Sequence, residues 1–220
     1  MKRTSKPYFQ LAGALWLLFI LFTICVACID VKPIGPEESE VGFAALNQFV
    51  FQNLGVHPVW YAMTEWLGVA ALLVALGFAA VGLYQLIRRK SIRKVDRRIM
   101  ALGFFYGLVL ACYLFFEQVV INYRPVILGD GLEASYPSSH TMLVVCIMAT
   151  AVLEVRALWP DRKTLYCGTK WAAVLLSAVT VVGRLLSGVH WFTDIVGGIL
   201  LSAALVVLYR GVIAYMEDIE

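Results

Sequence analysis

Three short segments hold the residues best suited to chemistry on an anion. They are Arg124-Pro125, then Pro137-Ser138-Ser139-His140, then Arg184 followed by His190 and Asp194. An arginine offers a rigid fork of donors that fits a tetrahedral oxyanion and does not lose its charge. A helix opening at Pro137-Ser138 would add free N–H groups and a positive dipole end, a natural seat for phosphate. The Ser138 hydroxyl would extend that seat. His190 and Asp194 are four apart and share one face if a helix begins there. An aspartate accepting from one ring nitrogen of His190 would leave the lone pair of the other free to attack.

The elements that must position these residues are read from hydropathy. The chain has 220 residues, 61% hydrophobic and 15% charged, against about 25% charged in an ordinary soluble domain. A disordered, collagenous or disulfide-rich chain is excluded, and lipid is the expected solvent for most of the protein. Apolar stretches at about 8–29, 59–87, 99–121, 138–158, 171–186 and 193–215 predict an all-α polytopic membrane protein with six transmembrane helices. Residues 1–220 read as a single membrane-embedded domain. A signal peptide is the alternative for the first stretch, but its length favours an uncleaved span. Residues 41–54 place Phe43, Leu46, Val50 and Leu54 at helical spacing and predict an interfacial helix beside the site.

Charge placement orients the bundle. The net charge of +3 is too small to imply a nucleic-acid partner. Fifteen of the eighteen Lys and Arg residues, from Lys2 and Arg3 to Arg210, fall on one side of the predicted spans. That side is the expected cytoplasmic one, with both termini. Only Lys32, Arg124 and Arg184 fall on the other side, where His140, His190 and Asp194 also lie. Ionisable groups at membrane depth are expensive and mark function. Three separated segments are therefore expected to meet at the outer face of a cell membrane.

In these residues the chain resembles the PAP2 (type 2 phosphatidic acid phosphatase) superfamily, whose pattern is Lys-x6-Arg-Pro, Pro-Ser-Gly-His and Ser-Arg-x5-His-x3-Asp. The motifs cover 117–194. The resemblance implies a helical-bundle core shared with vanadium haloperoxidases and an integral-membrane lipid phosphatase acting without a metal or other cofactor. It implies His190 as nucleophile, Asp194 as its orienting partner and His140 as acid and base. Arg124, Ser138, Ser139 and Arg184 would bind phosphate. The implied substrate is a lipid phosphate or diphosphate in the bilayer: polyprenyl diphosphate, with some preference, phosphatidylglycerol phosphate or phosphatidic acid. A lipid-linked phosphotransferase is the alternative within the class. A transporter that only binds the anion is the alternative outside it, and would not need His190 and Asp194.

Three positions depart from the pattern. Glu117 stands in place of Lys, Ser139 in place of Gly and Gly183 in place of Ser. A carboxylate at 117 would repel phosphate if it faced the pocket, so it is expected to pair with an arginine or to point away. Glu65, roughly 10 Å along the second span at 1.5 Å per residue, either lines the cavity and offsets the arginines or makes a polar contact between helices. His140, His190 and Asp194 could also be read as a metal triad, which two nearby arginines disfavour. Glu154 and Arg156 are expected to snorkel to the cytoplasmic interface. Trp60, Trp66, Trp159, Trp171 and Trp191 are expected to anchor the helices at the interfaces.

Overall fold

Prolines and short polar caps set where the helices begin. The computed structural model describes residues 4–219, so Lys2 and Arg3, counted above among the orienting charges, lie outside the described residues. Seven α-helices follow in order: α1 (Lys6–Cys28), α2 (Ala44–Leu54), α3 (Pro58–Arg89), α4 (Arg97–Gln118), α5 (Ser139–Leu158), α6 (Lys163–Leu186) and α7 (Phe192–Asp218). Proline stands in the first turn of α1 and α3, where its missing N–H costs nothing. Asp96 caps α4 by accepting from the Arg98 amide, and Ser138 caps α5 by accepting from the Thr141 amide. All but α2 are long and apolar enough to cross a membrane. The chain is a multi-pass membrane protein.

Two helices form the centre. In α5 56% and in α7 50% of the most apolar window is buried, against 11% in α3 and in α6. Helices α1, α3, α4 and α6 therefore turn much of their apolar surface to lipid and wrap the α5–α7 pair. Helix α1 packs along α7, and its entry is clipped to the far end of α7: the Thr4 and Ser5 amides both donate to the Asp218 carboxylate. Close approach at one glycine matters to the site. A Cβ at Gly197 would stand 2.5 Å from the Tyr136 ring, so only glycine lets the segment before α5 press onto α7. There the Tyr136 hydroxyl bonds Thr23 at 2.7 Å and the ring sits among Phe19, Phe22 and Phe116.

The boundaries differ from hydropathy in informative places. Helix α6 begins at Lys163, not near Trp171, because its polar first turns continue the helix beyond the apolar stretch. Helix α2 begins at Ala44, after Phe43 in a left-handed conformation. Its Asn47 is buried, while Leu46 and Phe49 are exposed. Glu154 does not snorkel: it is fully buried. Arg98 of α4 grips it with Nε and Nη2 at 3.1 and 3.0 Å, and the Tyr209 hydroxyl of α7 donates to it at 2.8 Å. A buried carboxylate persists only with such partners, and these tie three helices together at the basic end of the bundle.

Candidate active site

At the other end, the segment joining α4 to α5 delivers the first arginine. Residues Tyr123 and Ala134 form a single antiparallel bridge, and the Arg124 amide donates to the Glu133 carbonyl at 3.0 Å. The Arg124 Nε faces the Glu133 carboxylate at 2.9 Å, without the alignment of a hydrogen bond. The buried Nη1 has no partner among the described residues. The second segment follows at once. The Ser138 amide donates to the Asp194 carbonyl at 2.9 Å, which fastens the start of α5 to the start of α7. His140 lies in the first turn of α5.

The third segment does not form the expected helical pair. Helix α6 ends at Leu186, Gly188 turns the chain at φ +72°, and α7 starts only at Phe192. His190 is thus on the turn before the helix, while Asp194 is in its first turn. Their Nδ1–Oδ2 separation is 3.6 Å, too long for a hydrogen bond. Asp194 spends its oxygens elsewhere: Oδ2 accepts from the Trp191 amide at 2.9 Å and Oδ1 from Asn122 Nδ2 at 3.0 Å. It orients the turn that carries His190 rather than gripping the ring. Trp191 is likewise not an interface anchor. It is buried and donates through Nε1 to the Tyr123 carbonyl at 2.8 Å, which holds the segment carrying Arg124 against the histidine turn.

Two buried asparagines complete this scaffold without belonging to any motif. Asn122 reaches Asp194 as described. Asn47 of α2 accepts from the Thr193 amide at 3.1 Å and donates to the Thr193 hydroxyl at 2.9 Å. Helix α2 is therefore keyed into the start of α7. The sequence marks neither: Asn47 shares its helix with Gln48, Gln52 and Asn53, and Asn122 lies between Gln118 and Arg124, so only their burial, which obliges an amide to find partners, sets them apart.

Arg184 is the most enclosed cation, with no exposed side-chain surface. Nη1 donates to Glu65 at 2.9 Å and to the Thr64 hydroxyl at 3.2 Å, and Nη2 reaches His140 Nδ1 at 2.9 Å. The Tyr61 ring lies 5.3 Å from the guanidinium carbon, within range of a cation–π contact. The departure at Gly183 acquires a reason here. A Cβ at 183 would stand 2.7 Å from the Thr64 methyl, so glycine admits Thr64, whose hydroxyl then serves Arg184. A guanidinium can only donate, so His140 Nδ1 accepts. His140 is then neutral, with its proton on Nε2, and Nε2 lies 3.2 Å from Glu65 Oε1.

The other two departures lie together. Glu117 is exposed, makes no ion pair among the described residues, and lines a small recess with Tyr113, Pro137 and the half-buried Ser139. That recess shares Cys112 and Phe116 with an apolar cleft of about 500 Å³ between α1 and α4.

The electrostatics converge on His190. It is buried, and neither ring nitrogen has a hydrogen-bond partner among the described residues. Burial first, then the charges of Arg124 and Arg184 and the proximity of His140, hold its pKa well below the usual histidine value. The ring is neutral near pH 7 and keeps a lone pair. Nδ1 lies 3.6 Å from Asp194 Oδ2, and no hydrogen bond among the described residues fixes which ring nitrogen carries the proton. Arg124 Nη1 and Arg184 Nε are further buried donors without a protein partner. Buried donors left unmet by the protein are costly, and this group is what a bound tetrahedral anion would satisfy. Among the described residues, no group of three or more His, Cys, Asp or Glu side chains is placed to hold a metal ion.

Six long apolar helices thus gather two arginines and two histidines at one end of a membrane bundle. Residues 112–216, which include Arg124 and both later motifs, match the PAP2 superfamily. Phosphatidylglycerophosphatase B of Escherichia coli (strain K12) is 44% identical over 73 residues, 33% of this chain and 26% of that protein. The chain thus spans about a quarter of the length of that relative. Phosphatidylglycerophosphatase B of Bacillus subtilis (strain 168) is 26% identical over 200 residues, 88% of this chain and 92% of that one. The crystal structure of a transmembrane PAP2-type phosphatidylglycerolphosphate phosphatase from Bacillus subtilis superposes with a TM-score of 0.66 at 16% identity, covering 95% of this chain and 97% of that chain. The fold is shared along nearly the whole length.

Proposed function

We propose that this protein is a membrane phosphatase that removes phosphate from a lipid phosphate or diphosphate at the outer leaflet, through a phosphohistidine at His190. The observation that carries the reading is the neutral, buried His190 beside the unpaired donors of Arg124 and Arg184. In the first step His190 Nε2 attacks phosphorus, the bond to the lipid oxygen breaks, and His140 gives that oxygen a proton. In the second, His140 takes a proton from water, the oxygen attacks phosphorus, and the P–N bond breaks to release inorganic phosphate. The arginines and the amides at the start of α5 hold the equatorial oxygens as charge redistributes. The arginines supply the neutralising charge that a metal supplies in other phosphatases.

The apolar cleft between α1 and α4 supports a lipid substrate, since it opens among membrane-facing residues and adjoins the recess at Ser139. The names of the relatives favour phosphatidylglycerol phosphate. Phosphatidic acid and polyprenyl diphosphate present the same terminal phosphate to the same groups. The outer-leaflet reading is supported by the basic residues: the Arg88–Arg98 cluster at the opposite end favours the cytoplasm for that end. Phosphate release from a panel of these lipids by purified wild type and His190→Ala tests the reading. Release is expected from wild type alone, and equal release by the variant would overturn it.

A further inference from the structure

One face of α3 approaches the site with four residues that none of the three motifs contains. Tyr61, Thr64, Glu65 and Gly68 recur at the spacing of one helical stripe. The first three contact Arg184 as described, and Glu65 and Gly68 contact His140. A Cβ at Gly68 would stand 3.1 Å from His140 Cδ2, so the ring lies directly on the helix backbone, with Nε2 toward the Glu65 carboxylate.

This geometry divides the labour of the two ring nitrogens. While Arg184 donates to Nδ1, His140 is neutral with its single proton on Nε2, which lies 3.2 Å from Glu65 Oε1 without yet having the alignment of a hydrogen bond. A neutral imidazole that gave up its only proton would become an imidazolate, so this state cannot act as an acid. The acid form needs both nitrogens protonated, and Arg184 must then leave Nδ1. A phosphate dianion in the site gives Arg184 that alternative partner. The charged groups acting on His140 are Arg184 from α6, Arg124 from the α4–α5 segment and Glu65 from α3, with His190 close by. Two are cations and one is an anion. Once phosphate engages the arginines, Glu65 is the protein carboxylate left to stabilise the imidazolium.

We infer that Glu65 is the positioning residue of the acid–base step: its carboxylate holds the Nε2–H of His140, and Nδ1 is the atom that passes the proton to the leaving oxygen. The inference deepens the phosphatase reading and rests on it. The proton leaves Nδ1 as the P–O bond breaks and returns to Nδ1 from the attacking water. Glu65 stays ionised throughout. Before substrate arrives, the same carboxylate neutralises Arg184, so Glu65 and phosphate alternate as partners of one arginine.

Leaving-group dependence tests this. The value of kcat/KM reports steps up to release of the leaving group, and an alkoxide needs the proton that a nitrophenolate does not. Purified full-length wild type, Glu65→Gln and Glu65→Asp are compared on short-chain phosphatidic acid and on p-nitrophenyl phosphate. Glu65→Gln is expected to lose about tenfold to a hundredfold on phosphatidic acid and less than about threefold on p-nitrophenyl phosphate. Glu65→Asp should recover part of the first loss. Equal losses on both substrates would make Glu65 merely a support for Arg184 and overturn the inference, as would no loss on either. If the glutamine variant does not fold, the aspartate variant decides by the same ratio. Failure of the phosphatase reading is separately visible, as wild-type activity indistinguishable from that of His190→Ala.

Discussion

The two ends of the bundle each hold an arginine–carboxylate pair with one partner fully buried, and they do so in opposite ways. At the basic end the carboxylate is deep and saturated: Glu154 is fully buried, with Arg98 bound bidentately and Tyr209 donating. At the other end the arginine is deep and the carboxylate shallow. Arg184 has no exposed surface and leaves Nε unpaired, while the Glu65 side chain is 41% exposed. A saturated network fixes helices relative to one another and has nothing left to offer a ligand. An unsaturated one is held in place by its neighbours, here Thr64, Tyr61 and His140, so that one donor, Arg184 Nε, stays free. The difference separates the end that holds the fold from the end that carries the candidate site.

Substitutions should respect that division. The largest expected effect on turnover is His190→Ala, with kcat for lipid phosphate down by at least about a thousandfold. Its thermal midpoint in detergent should stay near wild type, because the ring makes no hydrogen bond to lose. Arg184→Lys should cost about a hundredfold to a thousandfold in kcat/KM, since a point charge replaces a fork that meets Thr64, Glu65 and His140 together. Glu154→Ala should invert the pattern. Leaving Arg98 and Tyr209 without their partner should cost about 3 kcal/mol of stability, read as a lowered melting temperature, with kcat of the folded fraction within about twofold.

Smaller effects sharpen the comparison. Asn47→Ala should lower kcat by about tenfold and leave KM nearly unchanged, because Asn47 orders the start of α7 without touching the anion. A profile of kcat/KM against pH should place the acid limb of His190 below its ordinary value of 6.5. The sign follows from its environment: burial and neighbouring positive charge disfavour the imidazolium, so the ring stays neutral until the pH falls below the ordinary histidine range. A limb at or above the ordinary value would mean that His190 is more solvated, or better paired with Asp194, than the 3.6 Å separation implies.

The residues legible in the sequence were those whose role depends on local order. Arg124, Ser138, His140, Arg184, His190 and Asp194 stand at fixed spacings on short segments, and six apolar stretches return those segments to one end. What spacing could not supply was register between helices. Glu154 looks like an interfacial carboxylate until α4 and α7 bring Arg98 and Tyr209 to it. Gly183 looks like a lost hydroxyl until α3 puts Thr64 in its place. Glu65 stood out by its depth in a span, but its two partners come from α5 and α6, which the sequence near residue 65 does not mention. The expected His190–Asp194 hydrogen bond failed for a related reason. Helix α7 begins two residues after His190, so Asp194 caps the chain at Trp191 instead.

The central claim is that His190 carries the phosphoryl group during turnover, and trapping it is the most direct test. Wild type mixed with a lipid phosphate bearing a radiolabelled terminal phosphate, then denatured in alkali, should yield label attached to a single histidine-containing peptide. Fragmentation should place the phosphate on His190, and acid should release it. Rapid phosphate release from wild type with no covalent label at any time, or label on a residue other than His190, would contradict the account.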